Sequence, residues 1–146
     1  MKKHRIILST MLLVLAFGTV ASQSAQNAPT AADKLGRHAS MVGLVRTINT
    51  LEVTEASQYG SYEPWPILLA HHHEGLNSWL KRFYSSNEPN VQFRDAPEIL
   101  PEWNLRLNVQ ADGKGYVLLL NDASDRDGLG WVSDDSGIIR ECKYLQ

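Results

Sequence analysis

The chain has 146 residues, with 14 Lys and Arg against 16 Asp and Glu, 43% hydrophobic residues and one cysteine. This length suits one ordinary domain, and a near-neutral charge without a basic stripe excludes the electrostatic signature of a nucleic-acid-binding protein. A single cysteine excludes an intrachain disulfide framework and a cysteine-rich zinc site.

The N-terminal segment has the three-part layout of a secretory signal peptide. Lys2, Lys3 and Arg5 precede an apolar run over residues 6–20, and small residues cluster directly after it. The run is about 15 residues long, shorter than the roughly 20 that a membrane-spanning helix needs. We therefore predict cleavage of residues 1–22 and a periplasmic or secreted protein with no membrane span. An uncleaved segment would instead anchor the protein in the membrane.

Cleavage at this point changes the charge of the protein. It removes three basic residues and no acidic ones, which leaves 11 Lys and Arg against 16 Asp and Glu and a formal charge of −5. Such a charge disfavours binding to anionic surfaces. Residues 23–33 are then a short linker, and residues 34–146 form the domain. The lone thiol of Cys142 is expected in a strand, buried and inert.

The first predicted element is one long helix over residues 34–59. This stretch contains no proline, and its apolar residues recur at three- and four-residue steps, as on one face of a helix. The apolar stripe consists of Leu35, Met41, Val42, Leu44, Val45, Ile48, Leu51 and Ala56. Glu52 and Glu55 are expected on other faces, and Gly60 and Pro64 end the helix.

The remaining elements follow from pattern and turn residues. A second helix is predicted over residues 66–84, and the proline-rich stretch after it is predicted as loop. Strands are predicted at residues 105–111, 116–120, 131–132 and 138–140, with glycine-containing turns between them. A helix followed by antiparallel hairpins predicts an α+β fold, in which the long N-terminal helix packs on a C-terminal antiparallel sheet of three to four strands.

Two motifs carry a family resemblance. The first is L-V-R-T-I-N-T-L-E-V-T over residues 44–54, followed by Q-Y-G at residues 58–60, and the second is W-V-S-D-D-S-G-I-I-R over residues 131–140. In this order they resemble the helix end and the terminal hairpin of type IV pilin-like proteins, including the pseudopilins of type II secretion. The resemblance implies a non-enzymatic structural or interaction protein of the cell envelope, with other envelope or secretion-apparatus proteins as partners.

The chain departs from this family at its N-terminus. Family members carry a prepilin leader whose cleavage leaves a hydrophobic helix with a glutamate near its start, and that helix builds the filament. Here the apolar run contains no glutamate, and a polar linker with Pro29 separates it from the predicted helix. We therefore expect a soluble, pilin-like globular domain that lacks the prepilin helix.

An acidic loop is the candidate metal site. Asp125, Asp127 and Asp134 supply the hard oxygen ligands that calcium prefers, and they fall at positions 3, 5 and 12 of a calcium loop counted from Ala123. Position one lacks a carboxylate, however, and no helix is predicted on either side. A solvated turn is therefore the default expectation. A periplasmic calcium- or ligand-binding module is the alternative function.

The run His71, His72 and His73 is the second chemical candidate. Consecutive residues of a helix point about 100° apart, so three in a row do not converge on one metal ion from a regular helix. A hydrolase, the second alternative function, would need a pocket that joins one of these histidines to a carboxylate. The sequence contains no nucleophile elbow, phosphate-binding loop or dinucleotide fingerprint, so it predicts no catalytic or cofactor-binding residue.

Four tryptophans complete the candidates. Trp65 and Trp103 lie beside prolines in predicted loops, where exposed indole rings could stack on sugars or partner proteins. Trp79 and Trp131 are expected in the core.

Overall fold

The structure, a computed structural model, describes residues 31–83, 91–125 and 127–143. The predicted signal segment, residues 1–22, lies outside the described residues, as do residues 23–30 of the predicted linker. The described part folds as three helices followed by a five-stranded antiparallel sheet, so the predicted α+β class is confirmed.

The elements follow one another without crossing connections. The helices are α1 (Ala31–Tyr59), α2 (Trp65–His71) and α3 (His73–Phe83). The strands are β1 (Glu98–Leu100), β2 (Trp103–Val109), β3 (Tyr116–Asp122), β4 (Leu129–Asp134) and β5 (Arg140–Lys143). The strand order in the sheet is the chain order, so each strand pairs with the next as a simple meander.

The long helix α1 lies on one face of the sheet, where it contacts β3 and β4. Leu44, Val45 and Ile48 are completely buried on its inner side, and Leu118 and Leu120 are completely buried on the facing strand. Because strand side chains alternate between faces, residues of one parity in β3 form this core while Val117 is exposed on the opposite face. The period-two pattern therefore sets which side of the sheet receives the helix.

The sheet has five strands rather than the three to four predicted. β1 lies in the stretch that was predicted as loop, because three residues are too few to show an alternating pattern. The last strand was also misplaced. Ile138 and Ile139 precede it, and the pairing of β4 with β5 begins with Val132 opposite Arg140.

The second predicted helix is two helices. His72 separates α2 from α3, with φ −114° and ψ 23°, which are not helical values. Its N–H still donates to the carbonyl of Leu68 at 2.9 Å, so the chain interrupts the helix for a single residue. Residue 84, the predicted end, lies outside the described residues.

The expectation that Trp65 and Trp103 are exposed was wrong. Only 2% and 3% of these residues is exposed, and the indole N–H of Trp65 donates to the carbonyl of Arg94 at 2.8 Å. Trp79 is buried as expected, and its ring lies 6.0 Å from that of Trp103. Trp131 is half-buried. Trp65, Trp79 and Trp103 are therefore part of the buried core, and Trp131 packs against it, instead of forming a stacking surface.

Within residues 31–83, 91–125 and 127–143, none of the helices combines the length and the apolar character needed to cross a membrane.

Candidate functional site

The buried stripe of α1 changes from apolar to polar in its C-terminal half. After Ile48, the inward positions are taken by Asn49, Glu52 and Glu55, whose exposed fractions are 7%, 0% and 1%. We call these three residues the buried polar stripe. The expectation that Glu52 and Glu55 lie on other faces was wrong, because they continue the three- and four-residue steps that place Val45 and Ile48 in the core.

Asn49 connects the helix to the sheet. Its side-chain amide donates to Ser133 Oγ on β4 at 2.8 Å, and its Oδ1 accepts a hydrogen bond from the Tyr116 hydroxyl on β3 at 2.9 Å. The Ser133 hydroxyl in turn donates to the carbonyl of Ile138 at 3.2 Å. Both the nitrogen and the oxygen of the Asn49 amide are therefore hydrogen-bonded, and these bonds largely compensate the cost of removing the side chain from water.

Glu52 holds the loop between α1 and α2. Its Oε2 accepts the backbone N–H of Glu63 at 3.0 Å, whereas its Oε1 is buried and has no partner among the described residues. Burial raises the pKa of Glu52 to about 7, although the bond from Glu63 opposes the shift, and the negative charges of Glu63 and Glu55 add to it. This carboxyl therefore changes charge near neutral pH.

Glu55 receives two imidazoles at one oxygen. Its Oε1 lies 3.1 Å from His71 Nδ1 and 2.7 Å from His72 Nε2. A carboxylate oxygen only accepts, so each of these nitrogens carries a hydrogen. The sequence argued only against the convergence of three consecutive histidines on one metal ion, and here two of them, at the helix break at His72, reach the same carboxylate oxygen. His73 is exposed beside Asn77.

The other end of α1 is fixed by charge. Arg37 Nε donates to Asp122 Oδ2 at 2.7 Å, and its Nη2 donates to Glu102 Oε2 at 3.2 Å. Burial of Asp122 would raise its pKa, but the hydrogen bonds from Arg37 and Ser124 and the charge of Arg37 hold that pKa below its ordinary value. Both ends of the helix are therefore anchored to the sheet or to its neighbouring loop by polar contacts.

The three aspartates of the candidate calcium loop are divided between the two ends of β4. Asp125 and Asp127 precede the strand, and Asp125 Oδ1 accepts the N–H of Asp127 at 3.0 Å. Asp134 ends the strand, where its Oδ1 accepts from both the N–H and the hydroxyl of Ser136. A six-residue strand spans roughly 17 to 20 Å, so Asp134 does not share an ion with the other two.

Cys142 and the histidines are the remaining candidates for a reactive or metal-binding site. Cys142 lies in β5 as expected but is half-buried rather than buried, and burial raises the pKa of its thiol. In the described part of the chain, neither His71 nor His72 is hydrogen-bonded to a hydroxyl or a thiol, and no group of three or more His, Cys, Asp and Glu side chains has the geometry to hold a metal ion.

No protein-family model matches the chain, and no curated protein or solved structure matches it significantly.

The raised pKa of Glu52 predicts a pH-dependent effect of Glu52→Gln. Because the folded-state pKa lies above the ordinary value of 4.5, the contribution of Glu52 to the stability of the folded protein is lost as the pH rises from about 4.5 through 7. Glutamine resembles the protonated acid and does not titrate. We expect the variant and the wild type to be equally stable near pH 4, and the variant to gain on the order of 3 kcal/mol above pH 7.

Urea unfolding at several pH values measures this difference. Glu74→Gln, which changes an exposed carboxylate on α3, is the matched control and should give a difference that does not vary with pH in this way. A pH-independent difference for Glu52→Gln would contradict the account of this carboxyl.

Proposed function

We propose that the protein is a non-enzymatic, pilin-like structural and interaction protein of the cell envelope, secreted or periplasmic, whose partners are other envelope or secretion-apparatus proteins. The observation that carries this proposal is the contact between the two family-like motifs. Asn49 belongs to the motif at residues 44–54 and donates to Ser133 in the motif at residues 131–140, 84 positions further along the chain. The motif residues thus join the long helix to the terminal hairpin, which is a structural task.

The exposed face of α1 supports an interaction role. Seven residues between positions 39 and 59 are exposed, and Arg46 is the one among them that carries a charge. Val53 and Tyr59 are 52% and 65% exposed. The charged residues Glu52 and Glu55 lie on the buried side of the same stretch. An exposed helix face with so little charge suits contact with another protein better than contact with water alone.

The burial of the polar stripe supports a structural role for its residues rather than a catalytic one. A catalytic acid or base must be within hydrogen-bond reach of a substrate, whereas Glu52 and Glu55 are enclosed by the fold. Their near neighbours are a backbone N–H and two imidazoles, all of which hold adjoining segments in place.

Cross-linking in the cell tests the proposed function. We would place a photo-reactive phenylalanine analogue at Val53 on the exposed face of α1, and at Glu74 on α3 as the control, in the full chain expressed by the organism that encodes it. We expect the Val53 position to form a cross-link to an envelope protein and the Glu74 position to form none. The mature N-terminus, read by mass spectrometry, should lie near residue 23.

Two results would contradict the proposed function. One is a cytoplasmic protein that keeps residues 1–22 and forms no cross-link from either position. The other is cross-linking to cytoplasmic proteins alone.

The calcium alternative has its own test. Because the backbone N–H of Asp127 already occupies Asp125 Oδ1 and Asp134 lies at the far end of β4, we expect millimolar calcium to leave the melting temperature unchanged. Calorimetry with calcium and with magnesium measures this. An increase specific to calcium that is lost in both Asp125→Ala and Asp127→Ala would support the binding module instead.

A further inference from the structure

The outer edge of β2 is covered over only part of its length. Strand β1 pairs with its beginning, Leu100 opposite Trp103 and Glu98 opposite Asn104, and the N–H of Leu105 donates to the carbonyl of Pro97 at 2.7 Å. Beyond Leu105, no residue in the described ranges pairs with this edge. The outward backbone groups of Leu107 and Val109 therefore form a free edge, bounded by β1 at one end and by the β2–β3 turn at the other.

The backbone groups of this free edge have a defined direction. The N–H of Leu105 points away from β3, and backbone groups alternate along a strand, so Leu107 and Val109 also direct their N–H and C=O groups outward. None of these four groups has a hydrogen-bond partner among the described residues. Two donors and two acceptors about 7 Å apart match the backbone of an extended strand.

Charged residues make up most of the opposite edge strand, β5, but little of the edge formed by β2. Three of the four residues of β5 are charged, namely Arg140, Glu141 and Lys143, and charges on an edge strand discourage pairing with other chains. In β2 the one charged residue is Arg106, which directs its backbone groups toward β3, and residues 107–110 after it are Leu, Asn, Val and Gln.

A groove of about 550 Å³ lies beside this edge. Leu107 and Val109 line one side, and Tyr62 and Pro64 of the α1–α2 loop line the other. The N–H of Tyr62 donates to the carbonyl of Gly113 at 3.0 Å, so the loop is fixed to the β2–β3 turn. In a strand added to the edge, the residues opposite Leu107 and Val109 would direct their side chains into this groove.

The loop approaches the turn closely because position 113 is glycine. Gly113 has φ 66°, and a Cβ there would lie 2.8 Å from Ser61 Cβ. The glycine therefore permits the contact between the α1–α2 loop and the β2–β3 turn that bounds the groove.

The charged side chains near the groove indicate which kind of segment would bind there. Asp112 is exposed at the turn end of the groove, and the partly exposed Glu63 lies in the facing loop. The nearby Lys114 directs its ammonium group to the carbonyl of Gly60 at 2.7 Å. A cationic side chain on the bound strand would complement Asp112, whereas Glu63 does not line the groove and its Oε1 accepts the Ser61 hydroxyl at 3.0 Å.

The size of the free edge argues against a second copy of the chain as the occupant. Ten residues line the groove, whereas a stable protein dimer uses roughly 20 to 30 residues on each side. A short segment of about six residues fits the available length.

We propose that the free edge of β2 is a strand-acceptor site for a short extended segment of another protein. That segment carries apolar side chains at two alternate positions and a Lys or Arg beside Asp112. This proposal deepens the envelope interaction role proposed above and rests on it, because it names the surface and the chemistry of the partner. The known mode is β-strand addition, in which backbone bonds give affinity and alternate side chains give specificity.

A designed peptide tests the site. An added antiparallel strand would begin at the turn end, where its first residue lies beside Asp112. The probe is therefore acetyl-Lys-Thr-Val-Thr-Val-Thr-amide. It is titrated into the full chain, and amide hydrogen exchange of the protein is measured. In the free protein we expect Leu107 and Val109 to exchange much faster than their neighbours Arg106 and Asn108. The peptide should slow the first pair and leave the second unchanged.

Two altered peptides separate backbone recognition from charge. N-methylation of both valines removes the donors that face the edge, so binding should be lost. Replacement of the lysine by glutamate should weaken binding by about two- to five-fold at low salt, the range for an exposed ion pair.

Two variants of the protein complete the test. Val109→Pro removes an outward N–H that the β2–β3 pairing does not use, so the sheet should persist and binding should be lost. Asp112→Asn keeps the oxygen that accepts the N–H of Lys114 and should remove the preference for lysine over glutamate. Asp135→Asn, in another exposed turn, is the matched control and should leave the preference unchanged.

Several results would overturn the proposal. Slow amide exchange of Leu107 and Val109 in the free monomer would mean that the chain itself covers the edge. Slow exchange that appears only in a concentration-dependent dimer would mean that a second copy of the chain binds the edge. Equal binding of the N-methylated peptide, or none of the lysine peptide, would also reject it. If the cross-link from Val53 still forms in that case, the edge proposal fails and the envelope role stands.

Discussion

The burial of polar side chains on the inner face of α1 is the constraint on which the rest of the structure depends. A buried amide or carboxylate costs stability unless it finds hydrogen-bond partners, and those partners have to come from other elements. Asn49 takes them from β3 and β4, Glu52 from the loop after the helix, and Glu55 from the end of α2. An apolar stripe would permit the helix to slide or rotate on the sheet, whereas these directional contacts fix its position.

The same constraint explains the shape of the neighbouring segments. The helix break at His72 turns two imidazoles toward Glu55, and the bond from Glu63 to Glu52 brings the α1–α2 loop against the helix. That loop then contacts the β2–β3 turn through Tyr62 and forms one wall of the groove beside the free edge. The buried polar stripe and the proposed strand-acceptor site are therefore connected by one short segment, residues 61–64. The buried carboxylates Glu52 and Glu55 hold these adjoining segments in place.

Much of this fold could be predicted from the sequence because its main elements are periodic. The three- and four-residue steps located α1, and alternation located most of β2 and β3. The failures have physical causes. Glu52 and Glu55 were placed outside because charged residues are rarely buried, although continuation of the stripe through Asn49 would have found them. β1 is too short for a pattern, and the break at His72 accompanies a contact with Glu55, which is 17 residues away in the sequence. The free edge depends on where β1 ends, which the sequence does not reveal.

A double-mutant cycle between Asn49→Ala and Tyr116→Phe tests most directly whether the buried polar stripe fixes the helix on the sheet. The free energy of unfolding is measured for the wild type, both single variants and the double variant. We predict a coupling energy of roughly 1 kcal/mol or more, because each variant removes one partner of the same buried bond. The pair Asn49→Ala and Ser136→Ala, which do not touch, should be additive within about 0.5 kcal/mol. A coupling energy near zero for Asn49 and Tyr116 would contradict the account.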